Sequence, residues 1–180
     1  MIAIKKYLFL SFVCLVTIVR AQTSVTVNGA RLSKSDLEKV SDRYNINIKN
    51  GTYWYDDRSG AWGFQNGPTQ GFIPAGLQVG SSLKSNASNG NTGVFVNGRQ
   101  LHYQDVRNLQ QIIKVVPGRF WLDNFGNGGK EGKAASFNLI YLAKRQGNNS
   151  FYRNNYTGIG AGSSGGTSYV MGKDWSVIID

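Results

Sequence analysis

VTVNGARLSKSDLEKV, residues 25–40, aligns without a gap on VFVNGRQLHYQDVRNL, residues 94–109, and this recurrence decides how the whole chain is organised. Further on, after a two-residue deletion in the second copy, INIKNGTYWYDDRSGAWG at 46–63 aligns on IKVVPGRFWLDNFGNGG at 113–129, with one more gap near Arg58. Val25/Val94, Val27/Val96, Asn28/Asn97, Gly29/Gly98, Leu32/Leu101 and Asp36/Asp105 are identical pairs, as are Gly51/Gly118, Trp54/Trp121, Asp56/Asp123, Gly60/Gly126 and Gly63/Gly129.

Each copy reads as one unit. Val25 and Val27 alternate into Asn28-Gly29, a dipeptide suited to the positive φ angles of a tight hairpin turn. Ser33 then reads as a helix N-cap, with Asp36 able to reach back to it and Leu32 stapled to Leu37. Leu37, Val40 and Tyr44 form one apolar helix face, as do Val106, Leu109 and Ile113 in the second copy. A strand through Ile46 and Ile48, or Ile113 and Val115, runs into an aromatic hairpin. The expected fold is α+β, mainly β: two duplicated hairpin-helix-hairpin modules with a C-terminal β-hairpin. The expected segments are a signal peptide at 1–21, module 1 at 22–78, a Gly/Ser/Asn-rich linker at 79–92, module 2 at 93–145, and a Gly/Ser-rich loop with a terminal hairpin at 146–180, turning at Gly172-Lys173.

The first 21 residues carry the signs of a secretory signal: basic Lys5 and Lys6, an apolar run from Tyr7 to Val19, and a small-residue junction at Val19-Arg20-Ala21. Processing there would remove Cys14, the one cysteine, and take the formal charge from +10 to +7 by loss of Lys5, Lys6 and Arg20. The processed chain is then expected to have no disulfide, no thiolate chemistry and no transmembrane segment. Its basic residues are scattered, with only Lys144-Arg145 adjacent, so a solvated basic surface is the plainer reading and nucleic acid is not an expected partner.

Comparing the copies sorts the chemical candidates, because a residue shared by both serves the unit's architecture more often than a local function. His102, the single histidine, aligns with Ser33 and reads as a helix cap, which leaves neither a histidine-dependent mechanism nor a zinc site. GAGSSG at 160–165 matches a dinucleotide-binding glycine pattern, and GSSGG at 162–166 a nucleophile elbow, but neither precedes a helix and both read as loop composition. Asp56 and Asp123 each stand before a turn, where a carboxylate accepts backbone N–H bonds. They remain the alternative acid/base pair, with Glu131 and His102 as further members. Tyr53 and Tyr55, replaced by Phe120 and Leu122, read as core. Trp54 and Trp121 fall on the opposite face, where they either pack or stack on a sugar ring. Trp62 aligns with Gly128 and is the aromatic freest of the common architecture. Trp54, Trp62 and Trp121 are the candidate ligand-binding residues, and no cofactor or metal is expected.

The hairpins GTYWYDDRSGAWG and GRFWLDNFGNGG resemble the aromatic repeats of choline-binding and glucan-binding proteins, although those repeats are short and tandem and contain no helix. The longer pattern, VFVNGRQLHYQDV followed by PGRFWLDNFGNGGKEG, is similar to a group of exported bacterial proteins of unknown function, and the VRAQ junction resembles Bacteroidetes export signals. The resemblance implies a secreted or periplasmic protein. The expected function is a non-enzymatic binding or interaction protein that contacts glycan, another envelope component or a protein through its aromatic hairpins. A small secreted hydrolase or lyase acting on polysaccharide, and a structural or assembly subunit of the envelope, stand as alternatives.

Overall fold

A computed structural model describes residues 24–44, 48–145, 160–164, 167–172 and 175–179, with side chains from 24 to 42 and 48 to 145. The expected signal at 1–21, the polar stretch at 146–159 and the terminal turn at 173–174 lie outside the described residues.

The duplication is visible strand for strand. In the first copy β1 (Val25–Val27) turns into β2 (Ala30–Arg31), α1 (Lys34–Tyr44) follows, and β3 (Gly51–Tyr55), β4 (Ala61–Phe64) and β5 (Thr69–Phe72) form a meander. The second copy repeats this with β6 (Val94–Val96), β7 (Arg99–Gln100), α2 (Tyr103–Leu109), β8 (Gly118–Leu122), β9 (Asn127–Lys130) and β10 (Phe137–Asn138), then adds α3 (Leu139–Arg145). The sheet orders are β2-β1-β3-β4-β5 and β10-β9-β8-β6-β7, one the equivalent of the other. The protein is α+β, mainly β.

Both sheets are mixed. β1 runs parallel to β3 with Val25 opposite Gly51, and β6 runs parallel to β8 with Val94 opposite Gly118, so aligned residues share one register. A parallel pair requires a crossover, and the β2-α1 and β7-α2 segments supply it. The strands expected through Ile48 and through Ile113 and Val115 do not form: β3 and β8 begin at the glycines, and 110–117 is turn and extended chain.

The Asn-Gly turns form as read. Asn28 and Asn97 take φ 51 and 49, and Gly29 and Gly98 take φ 86 and 87, the left-handed values a two-residue hairpin needs. Each asparagine then does more than turn the chain. Asn28 Oδ1 accepts from the Tyr55 N–H at 2.9 Å and its Nδ2 donates to the Tyr55 carbonyl at 2.8 Å. Asn97 does the same to Leu122 at 3.0 and 2.8 Å. The side-chain amide thus acts as one further ladder residue and clamps the parallel pair beyond its last backbone bond.

The tryptophan and glycine shared by the copies are cross-strand partners, Trp54 opposite Gly63 and Trp121 opposite Gly129. A Cβ on Gly63 would stand 2.6 Å from the Trp54 ring, so the glycine makes room for the indole. Trp54 Nε1 donates to the Gly67 carbonyl at 3.1 Å and Trp121 Nε1 to the Lys133 carbonyl at 2.9 Å, tethering the same loop in each copy.

Val25, Val27, Leu37 and Tyr55 form the core under α1, and Ile112, Leu122, Leu139 and Ala143 form that of the second sheet. Between them, Trp54, Ala61 and Ala87 make a third cluster, and Phe72 packs against both this cluster and the second core. The stretch 79–92, whose composition reads as a loop or linker, contains no helix or strand but is packed at both ends. The Ser81 hydroxyl donates to the Asn28 carbonyl, Gln100 N–H donates to Ser85, and Ala87 and Ser88 are buried.

The C-terminal strands β11 (Gly160–Ser164), β12 (Thr167–Gly172) and β13 (Trp175–Ile179) form an antiparallel sheet of three. The expected hairpin is present as β12-β13, with Gly172 opposite Trp175. The glycine-serine stretch expected to be a loop is the third strand. Alternating small residues leave its backbone free to pair with β12.

Candidate functional site

Of the residues singled out in the sequence, Asp56 and Trp121 line one cleft, while Trp54, Trp62, Asp123, Glu131 and His102 are not in its lining. Trp54 is fully buried, so its indole has no face left for a ligand, and the stacking role expected of it is corrected by packing. Trp62 lies opposite Tyr55 on the core face of the first sheet, half-buried against the Val25/Val27 cluster. Its ring sits 6.0 Å from Tyr53 and 6.1 Å from Phe64, and its buried Nε1 has no hydrogen-bond partner among the described residues. It is therefore less free of the fold than its absence from the second copy implied. Trp121 is half-buried, on a different sheet.

The carboxylates are occupied separately. Asp56 is buried and accepts from Arg58 N–H at 3.0 Å, Ser59 Oγ at 2.5 Å and Asn97 Nδ2 at 2.7 Å. Asp123 accepts from the N–H groups of Phe125 and Asn127 and from Asn127 Nδ2, at 2.8 to 3.0 Å. Both set the turns before Gly60 and Gly126. Glu131 forms a forked pair with Arg119 at 2.7 and 3.4 Å. His102 is the N-cap of α2, its Nδ1 accepting from Gln104 N–H at 3.3 Å. Asp56 and Asp123 are thus each engaged in turn-setting bonds, and no bond between the two is present among the described residues. Among the described residues no three His, Cys, Asp or Glu side chains gather as metal ligands.

A different group holds the two copies together. Arg99, on β7, is buried beneath the first sheet with its guanidinium carbon 3.8 Å from the centre of the Trp54 ring. One of its nitrogens meets Asp105 Oδ2 at 3.2 Å and the Ser88 hydroxyl, and another donates to Thr69 Oγ1 at 3.3 Å. The second oxygen of Asp105 accepts from Thr69 N–H at 2.9 Å. Burial pulls the Arg99 pKa down from its ordinary value and the Asp105 carboxylate opposes that pull. The joint therefore takes Trp54 and Thr69 from one copy, and Arg99 and Asp105 from the other, with Ser88 from the stretch between them. The sequence signal for it existed: Arg99 stands where the first copy has Ala30, a charge gained in a buried hairpin.

Above this joint a cleft of about 930 Å³ opens between β5 and the second sheet. Thr69, Gln70 and Phe72 line it from the first copy, and Val96, Leu109, Val115, Phe120 and Phe137 are among those lining it from the second. Its two acids, Asp56 and Asp105, are the bonded ones just described. Arg107, Lys114 and Lys130 also line it; all three are exposed, and none has an ion-pair partner among the described residues. None of these rim residues stands out in the sequence, because they lie on α2, on the extended chain after it and on β9.

A mixed sheet with a crossover helix, duplicated and joined by a buried ion pair, defines a class of two-copy module with a cleft between the copies. Among known proteins, the chain is similar to the extra-large guanine nucleotide-binding protein 1 of Arabidopsis thaliana, 36% identical over 121 residues that make up 65% of this chain and 14% of that protein. It is also similar to the extra-large guanine nucleotide-binding protein 2 of the same plant, 28% identical over 125 residues, 67% of this chain and 14% of that protein. The chain thus spans about a seventh of the length of these relatives. No family model matches it, and no solved structure does.

These similarities correct the expectation of an exported bacterial protein. The relatives are plant guanine nucleotide-binding proteins, so the secreted or periplasmic setting, the glycan and envelope ligands, the secreted hydrolase or lyase and the envelope subunit are all withdrawn. Sugar stacking is also ruled out at Trp54, whose indole is fully buried. Among the described residues no helix is long and apolar enough to cross a membrane.

Proposed function

We propose that this chain is a protein-interaction module, related to a stretch within the extra-large guanine nucleotide-binding proteins, that receives a segment of a partner protein in the cleft between its two copies. The cleft is the observation that carries the reading. It is about 930 Å³, open, floored by side chains of both sheets, and held on a joint that is already bonded without a ligand. A preformed groove of that size, with mixed apolar and polar walls, loses little order on binding. Binding of guanine nucleotide by this chain itself has no support in its residues: the 180 residues contain no G-x-x-x-x-G-K-[S/T] run, the loop that cradles phosphates in many nucleotide-binding proteins.

An unbiased peptide library selected against the immobilised protein tests this. Peptides are expected to emerge that bind wild type and bind at least about tenfold more weakly to Gln104→Trp, an exposed cleft position on α2 where a large ring obstructs the groove, about 1.4 kcal/mol. A fluorescent GTP analogue is expected not to bind. Recovered peptides that ignore the Gln104→Trp change, or saturable GTP binding, would overturn the reading.

A further inference from the structure

We infer that the segment received by the cleft is acidic, with apolar anchor residues between its carboxylates; the inference rests on the interaction-module reading and names the chemistry of the partner. The argument is one of charge left over. Six ionised side chains line the cleft, and three of them, Asp56, Asp105 and Arg99, are spent inside the fold. Asp56 carries three hydrogen bonds and Asp105 is held by Arg99 and the Thr69 amide. The three cations Arg107, Lys114 and Lys130 remain exposed, with no ion-pair partner among the described residues. A groove with apolar side chains among its walls and unpaired cations at its edge focuses a positive potential over those walls.

The floor separates an acidic peptide from other polyanions. Val96, Leu109, Val115, Phe120 and Phe137 line the groove, and Val116 is 43% exposed at its edge. A nucleic acid strand presents phosphates and sugars that gain little from such walls, and its bases need open ring faces on which to stack, whereas Phe120 and Phe137 are half-buried. The cleft's indole, Trp121, is half-buried with its N–H tied to Lys133. Leucine or phenylalanine side chains fit the floor while flanking aspartates or glutamates meet the three cations, an arrangement that also disfavours basic segments by like-charge repulsion.

The test uses fluorescence anisotropy with the full chain and three labelled probes: a peptide of alternating Glu/Asp and Leu/Phe, its counterpart with every acid replaced by Lys, and polyuridylate RNA. The acidic peptide is expected to bind, to weaken about tenfold or more between low and high salt, and to weaken similarly on Lys114→Glu or Arg107→Glu. These are exposed positions at which a folded protein is expected and is checked by circular dichroism. Equal binding of the basic peptide, binding indifferent to salt and to the charge reversals, or RNA displacing the peptide would overturn the acidic assignment. Library-selected neutral or basic peptides blocked by Gln104→Trp would leave the cleft reading standing while this inference fails.

Discussion

Asp36 and Asp105 occupy the same place in the two copies, three residues past the helix cap, and end in opposite environments. Asp36 is exposed. Its carboxylate accepts from Ser33 Oγ at 2.7 Å, which holds its pKa below the ordinary 3.8, and Lys39 adds to that. Asp105 is buried against Arg99, stacked in turn on Trp54. Breaking a buried pair by removing one partner leaves an uncompensated charge, at a cost of about 3–5 kcal/mol. Asp105→Ala and Arg99→Ala are therefore expected to lower the urea midpoint sharply, whereas Asp36→Ala changes it little. Joint replacement by Arg99→Met and Asp105→Leu should recover much of the loss. Equal midpoints for Asp36→Ala and Asp105→Ala would show that the joint contributes nothing beyond the cap. That an aspartate was shared was legible in the sequence; that one was buried was not, because its partner Thr69 lies in the other copy.

At the scale of the element, the Asn-Gly hairpin does two jobs that substitution can separate. Asn97→Gly keeps the left-handed turn and loses the amide clamp on Leu122, while Asn97→Ala loses the clamp and also strains the φ of 49. Unsatisfied buried peptide groups cost about 1–3 kcal/mol, so the glycine variant is expected to be destabilised within that range and the alanine variant by about 1–2 kcal/mol more. Thermal or urea unfolding of the pair checks it, and equal stabilities would mean that the turn conformation carries no strain. The hairpin, the cap at Ser33 and the turn-setting role of Asp56 were all readable locally, because each depends on contacts within a few residues. The parallel pairing of β1 with β3 was not: it is closed by a crossover through α1, and no local pattern distinguishes a returning hairpin from a parallel neighbour.

Across the whole molecule the two copies share more than ancestry. Phe72 packs into two clusters, Asn97 reaches Asp56, and Arg99 lies under Trp54. These contacts predict one cooperative unfolding transition for residues 24–145, with calorimetric and van't Hoff enthalpies in agreement. Asp105→Ala is expected to weaken that agreement by loosening one copy from the other. Two resolved transitions in the wild-type protein would contradict the prediction. The cleft belongs to this scale too, since its walls come from both copies and its orientation depends on the joint.

The sequence by itself determined the repeat, the α+β class, and the turns and caps, because these follow from spacing and from short-range sterics and hydrogen bonding. Only the tertiary structure decided which side chains remain available. Trp54, the residue with the most obvious chemistry, is consumed by packing between copies. Arg107, Lys114 and Lys130 look like ordinary surface charges in the sequence, and become a set only because packing of the two sheets leaves a groove beside them. Burial and leftover charge are properties of the whole packed chain, and a local run of residues carries neither.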